Sequence, residues 1–273
     1  SSTGYWTTDG EGSVTAYTGE STPTDNYIHY DAENNILTLH NAIIKDELPY
    51  TDTPAGSLIN GAAIGVLNQD GNAELTIQLE GDNTIEDVST GIYVLAHSPS
   101  TGAASLTITG SGSLTTEGSG SGSLSGILVQ SNAGNANLTI NNVDVTATNS
   151  NTQGIRLQSA GSSTVSLTVN GGELTASGKD AGIDYVCGND LIGSGTPRLT
   201  VCGNTIVKAS GDTGGITSNS STVTPSGTGI VFNNGTGTVY GSVTLQDDLT
   251  IDDDESLTIG EDASLTIPDD KTL

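Results

Sequence analysis

The sequence predicts an all-β chain, a right-handed parallel β-helix (solenoid) with three strands per rung and an irregular N-terminal cap. Three observations predict it: a two-part phrase recurs five times, Gly and Asn cluster between its parts, and no segment keeps a helical period beyond a turn or two. The phrase opens on Gly and a branched residue, at Gly91-Ile92, Gly126-Ile127, Gly154-Ile155, Gly182-Ile183 and Gly215-Ile216. Its second part is a Leu-Thr-Ile/Val triplet headed by Leu75, Leu106, Leu138, Leu167 and Leu199. Successive Gly openings stand 35, 28, 28 and 33 residues apart. Periods of that length belong to stacked repeats.

Residues 1–60 read as the cap and first strands. They hold Tyr5, Trp6, Tyr17, Tyr27, Tyr30 and Tyr50, six of the nine Tyr and Trp residues. An aromatic-rich opening suits a cover for the first rung, because a solenoid end otherwise exposes core. Residues 61–273 read as one continuous parallel β-helix. Within 154–178 the three strands are Gly154 to Leu157, Ser166 to Val169 and Glu173 to Ala176. Corners fall at Asn141-Asn142, Asn170-Gly171-Gly172 and Gly203-Asn204, residue types that tolerate left-handed backbone. Alternation turns Ile155 and Leu157 inward and Arg156 outward. An irregular rung is expected near 215–242, where Gly215-Ile216 and Gly229-Ile230 are only 14 apart. Beyond it Leu249, Leu257, Leu265 and Leu273 recur every 8 residues, one coil written side by side. The phrase is cut at Leu273, which reads as a chain that continues.

Composition narrows the function. The 273 residues include 37 Gly but one Phe and one Trp, enough for thin rungs filled by Val, Ile and Leu. Net charge is -26, from 32 acidic and 6 basic residues. Phosphate backbones require Lys and Arg, so nucleic acid is excluded as a partner. Anionic glycans and anionic membranes are disfavoured unless a divalent cation bridges. No apolar run is long enough to span a membrane. A chain without Met that begins at Ser1 reads as the mature part of an exported protein, secreted or cell-surface, its signal segment absent.

The outward positions of the Gly-Ile strand give the candidate ligand site. They are read as the column Leu67, Tyr93, Leu128, Arg156 and Asp184, with rungs ~4.8 Å apart. A ring beside a guanidinium and a carboxylate suits a sugar; the bland reading is a surface ion pair and a covered ring. Two outward leucines call for a cover, from the N-terminal segment or a partner. A threonine column, Thr76, Thr107, Thr139, Thr168 and Thr200, reads as ordinary strand surface. Asp252, Asp253 and Asp254 are candidate Ca²⁺ ligands, because hard carboxylate oxygens suit that cation, against the reading of solvated corners. No other cofactor is expected. Cys187 and Cys202 sit on different sides of a rung and read as free thiols, unless a reshaped corner at 188–197 joins them. None of His29, His40 and His97 lies in a nucleophile motif, and no catalytic residue is assigned.

Tyr30 to Leu39, Leu75-Thr76-Ile77 with Gly81-Asp82-Asn83-Thr84-Ile85, and Leu167 to Gly172 resemble phrases of secreted or surface-anchored β-helix proteins of gut anaerobic bacteria. Many of those are described as carbohydrate-binding-domain-containing proteins. The broader similarity is to the pectin-lyase-like β-helix and covers roughly residues 30–273. It implies the fold, export and a glycan or host-surface ligand. The Asp or Arg/Lys sets of its lyases and polygalacturonases have no match here. The expected function is therefore a non-catalytic extracellular β-helix that binds glycan or acts as an adhesin. The alternatives are a polysaccharide-degrading lyase or glycoside hydrolase, and a structural stalk. A binder should show exposed aromatics, an enzyme converging carboxylates, and a stalk neither.

Overall fold

A computed structural model describes residues 3–48, 59, 61–97, 102–122, 124–160, 162–188 and 195–273. The described chain is all β, without helix, and its parallel strands stack into a β-solenoid of about 5 turns. Each turn has three sides. Side one carries the Leu-Thr-Ile strands Ala73–Glu80, Ala104–Gly110, Ala136–Asn141, Thr164–Asn170 and the first half of Thr196–Ser210. Side two carries Asp82–Val88, Ser113–Gly118, Asp144–Asn149, Glu173–Gly178 and the second half of Thr196–Ser210. Side three carries the Gly-Ile strands Ala62–Asn68, Thr90–Ala96, Ser125–Ser131, Gln153–Ser159, Ala181–Cys187 and Gly214–Ser218.

Register follows the repeated phrase. Leu75, Leu106, Leu138, Leu167 and Leu199 pair in sequence, as do Ile64, Ile92, Ile127, Ile155, Ile183 and Ile216. Strand alternation sends both columns to one interior. Ile92, Ile127, Ile155 and Ile183 are fully buried there with the triplet leucines. The predicted corners hold: Asn142, Gly171, Gly172, Gly203 and Asn204 all have positive φ.

The Gly of the Gly-Ile phrase has a different cause. A Cβ built on Gly126 would stand 2.7 Å from the carbonyl oxygens of both Gly154 and Thr148. One on Gly154 would meet Ser177 N at 2.8 Å and also the Ala147 carbonyl. Side two presses its backbone against the start of side three, and only glycine leaves that space.

The parallel stack begins earlier than residue 61, because Ile36–His40 already pairs parallel with Ala73–Glu80. Before it, Gly4–Thr8, Val14–Ala16 and Tyr27–Asp31 form an antiparallel cap sheet joined to Ile36–His40. The irregular rung is the nine-residue strand Pro225–Asn233, which runs across sides one and two of the last turn. A hairpin at Asn234-Gly235 then reverses the chain into Thr236–Tyr240. Along Pro225–Asn233, Val231 joins the main core while Ile230 and Phe232 join a second one. That smaller core belongs to a C-terminal coil in which Gly237 pairs with Leu257, Val243 with Leu265, and Leu249 N bonds Thr272 O at 3.0 Å. The eight-residue rhythm thus marks successive sides of this coil.

Cys187 points into the interior and is fully buried, whereas Cys202 lies on the outer face of side one beside Asn170. Both are free. Burial, and then the charge of Asp184, push the Cys187 thiol up to about 11. Most of the corner at 188–197, namely 189–194, lies outside the described residues, as does Tyr50.

Candidate functional site

The sequence-predicted column is real, with one slip. Tyr93, Leu128, Arg156 and Asp184 occupy consecutive register positions on side three, followed by Thr217. Leu67 does not belong to it. Gly65 pairs with Tyr93, and Leu67 pairs with Leu95 two residues further along the strand. The pair Gly65-Val66 imitates the Gly-Ile opening, but the inward isoleucine of this rung is Ile64.

The first half of the column is covered. Tyr93 is 7% exposed and Leu128 1%, and both pack with Leu95, Leu48 and Ile59. The outward Leu128 is explained by this cluster, to which the N-terminal residues Leu48 and Ile59 contribute, while Leu67 packs against it only partly buried. Tyr93 Oη donates to Gln130 Oε1 at 2.8 Å, and burial pushes its phenol up to about 12. Its ring therefore has no free face for a sugar.

The second half is half-buried and polar. Thr217 Oγ1 donates to Asp184 Oδ1 at 2.8 Å. Arg156 Nε is buried without a hydrogen-bond partner. The ion pairs among the described residues involve His40, Lys45, Lys208 and Lys271; Arg156 and Asp184 form none. Burial raises the Asp184 carboxyl above its ordinary value, outweighing the Thr217 bond and the Arg156 charge, which both lower it. A carboxyl raised on folding contributes stability below its unfolded value, and that stability is lost as pH rises through the folded one. Asp184→Asn should therefore raise Tm at neutral pH, and the gain should vanish in acid. A melt series across the carboxylate range checks this; a gain that persists in acid contradicts it.

Asp252, Asp253 and Asp254 are all exposed on a tight turn closed by Glu255 N to Asp252 O at 2.9 Å. Among the described residues no group of three His, Cys, Asp or Glu side chains is set to hold a metal ion. The threonine column is in register as predicted, half-buried on the outer face of side one.

The cap sheet supplies what sequence reasoning missed. Trp6, Ile28 and Tyr30 turn inward, so the alternate residues Tyr5, Tyr27 and His29 share the outer face with His40. All four are half-buried. Tyr5 stacks on His29 at 4.2 Å and 23°, and Tyr27 on His40 at 4.9 Å and 8°. Tyr5 and Tyr27 meet edge to face at 5.9 Å. Cross-strand pairing makes these contacts: Tyr5 lies opposite His29 and Tyr27 opposite His40.

Hydrogen-bonding groups border the rings. His40 Nδ1 lies 3.0 Å from Glu80 Oε2 and its Nε2 3.5 Å from Asp25 Oδ1. Asn41 Nδ2 donates to Asp25 Oδ1 at 2.7 Å, the main reason the Asp25 carboxyl sits below its ordinary value. Desolvation, then the Glu80 charge, raises the Tyr27 phenol. Rings with carboxylate and amide groups at their rim can stack on C–H faces and accept hydroxyls. The cue was there in the strand parity of Tyr27-Ile28-His29-Tyr30, which splits the aromatic set between two faces.

Comparison with known proteins finds no matching family model, no matching curated protein and no matching solved structure.

Proposed function

We propose that this chain is a non-catalytic extracellular solenoid that binds a neutral glycan, with the ring cluster of the cap as its first contact. The observation that carries the reading is the four-ring platform of Tyr5, Tyr27, His29 and His40 on an outer sheet face, rimmed by Asp25 and Glu80. Aromatics left half-exposed in a chain this poor in them are the mark of a binder. The net charge of -26 favours a neutral ligand over a uronic acid. Arg156 and Asp184, half-buried and unpaired with each other, offer a donor and an acceptor for a second polar contact.

Titrating neutral and acidic oligosaccharides against the purified chain, with and without Ca²⁺, tests the reading. Tyr5→Ala with Tyr27→Ala should weaken a neutral ligand by about tenfold or more, two ring contacts at ~1 kcal/mol each. Arg156→Ala should weaken it less. Absence of binding to any glycan would favour a structural stalk and remove the proposal. Binding that ignores the double variant but is lost with Arg156→Ala would move the site to side three.

Hydrolysis has one observation on its side. Asp184 is a half-buried carboxyl with a raised pKa and Asp180 nearby, the environment of a general acid. Release of reducing ends from a polysaccharide, abolished by Asp184→Asn, would establish that reading.

A further inference from the structure

The third side of the solenoid ends abruptly at its N-terminal edge. Ala62–Asn68 is the terminal strand of the six-stranded Gly-Ile sheet, and among the described residues its strand partner is Thr90–Ala96. Ile36–His40, Ile43–Ile44 and Ala62–Asn68 are the three sides of this first rung, and the cap sheet continues side one beyond it by pairing Tyr27–Asp31 with Ile36–His40. Among the described residues nothing continues side three, apart from Leu48 at the strand's start, whose N donates to Ala62 O at 2.8 Å and whose O accepts from Gly61 N at 3.4 Å. Alternate backbone N–H and C=O groups of an edge strand point away from its one partner.

The interior is open at the same place. Ile92, Ile127, Ile155 and Ile183 are fully buried, yet Ile64 in the same column is only partly so. Val94, Val129 and Leu157 are likewise fully buried, while Val66 is not. A cleft of about 1010 Å³ lies there, with the whole of Ala63 to Asn68 along one wall and Trp6, Ile28 and Tyr30 of the cap opposite. Its polar lining includes Asp46, Glu47 and Glu74, all exposed.

We propose that this edge accepts one extended strand from a partner polypeptide whose residues alternate apolar and basic. Backbone pairing to Ala62–Asn68 supplies affinity. Apolar side chains on one face of the added strand cover Ile64 and Val66. Basic side chains answer the carboxylates of Asp46, Glu47 and Glu74. A second copy of this chain is a poor occupant: its six basic residues, Lys45, Arg156, Lys179, Arg198, Lys208 and Lys271, are scattered singly, so no segment repeats the apolar–basic alternation, and its charge of -26 repels another copy. The opposite end of the sheet is different. Gly214–Ser218 is short, and Ile216 N is already bonded by Asn233 Oδ1 at 3.0 Å.

The probe is a synthetic Val/Lys alternating peptide as long as Ala62–Asn68, titrated against the intact chain. Two further peptides carry backbone N-methyl groups, one on each alternate set of amides. Pairing to a single edge uses one set only. One methylated peptide should lose affinity by about tenfold or more and the other should keep it. A Val/Glu peptide should not bind, and Glu74→Lys should weaken the Val/Lys peptide several-fold without changing the melt. Hydrogen exchange should show new protection at alternate amides of Ala62–Asn68. Equal affinity of the two methylated peptides, unprotected edge amides, or no binding to a chain with an unchanged melt would each overturn strand addition. Self-association in place of peptide binding would assign the edge to a second copy and overturn it too. Glycan binding is read separately, so either proposal can fail alone.

Discussion

Ile155→Asp should abolish cooperative unfolding of the solenoid or lower its midpoint drastically. Ile155 is fully buried, between Ile127 and Ile183 in the interior column. A carboxylate there has no partner within the apolar core, and burying an unpaired charge costs about 5 kcal/mol or more in practice. Stability in a stacked repeat is a sum of neighbour interfaces, so a defect in the middle rung weakens both halves. Arg156→Ala, one residue along and facing outward, should cost under about 1 kcal/mol. Thermal and denaturant melts of the two variants check the inside–outside register. Equal tolerance of both would refute it.

Gly126→Ala should rank next, although it adds one methyl group. That methyl meets the carbonyl oxygens of Gly154 and Thr148 at 2.7 Å, and both belong to backbone that cannot rotate away. Either side two or side three must shift, at about 3 kcal/mol by analogy with overpacked cores. Gly122→Ala supplies the contrast in space, since nothing lies within 4 Å of its Cβ; its φ of +83 makes the substitution one of backbone strain alone. A Gly126→Ala melt indistinguishable from that of the unaltered chain would refute the steric account.

These two residues show why the architecture was legible. The Gly-Ile phrase records a close backbone approach and then an inward column, both repeated at every rung. Repetition lets weak local signals reinforce one another, which a single strand cannot do. The first rung broke the pattern: its opening is Ala63-Ile64, and the decoy Gly65-Val66 placed Leu67 in the column although it lies two residues too far along. The covering of Tyr93 was half-legible, since an outward Leu128 demanded something over it. The cap was the least legible part. Its strands are antiparallel, occur once, and mix aromatic residues on both faces, so no repeat averages the ambiguity. The pairing of Tyr27 with His40 depends on a hairpin register that the turn at Asp31 to Asn35 sets.

The reversal at Asn234-Gly235 also bears on the order in which the chain folds. Both residues have positive φ, the requirement of the tight type I′ turn that matches strand twist. Pairing Asn233 with Thr236 closes almost no loop, whereas pairing Leu138 with Leu167 must first enclose a full rung of chain. Loop closure is entropically costly before contacts repay it, so local pairings lead. The hairpin is therefore a ready nucleus with two growing ends. One end recruits the last parallel turn through Val231, the other the C-terminal coil through Ile230 and Phe232.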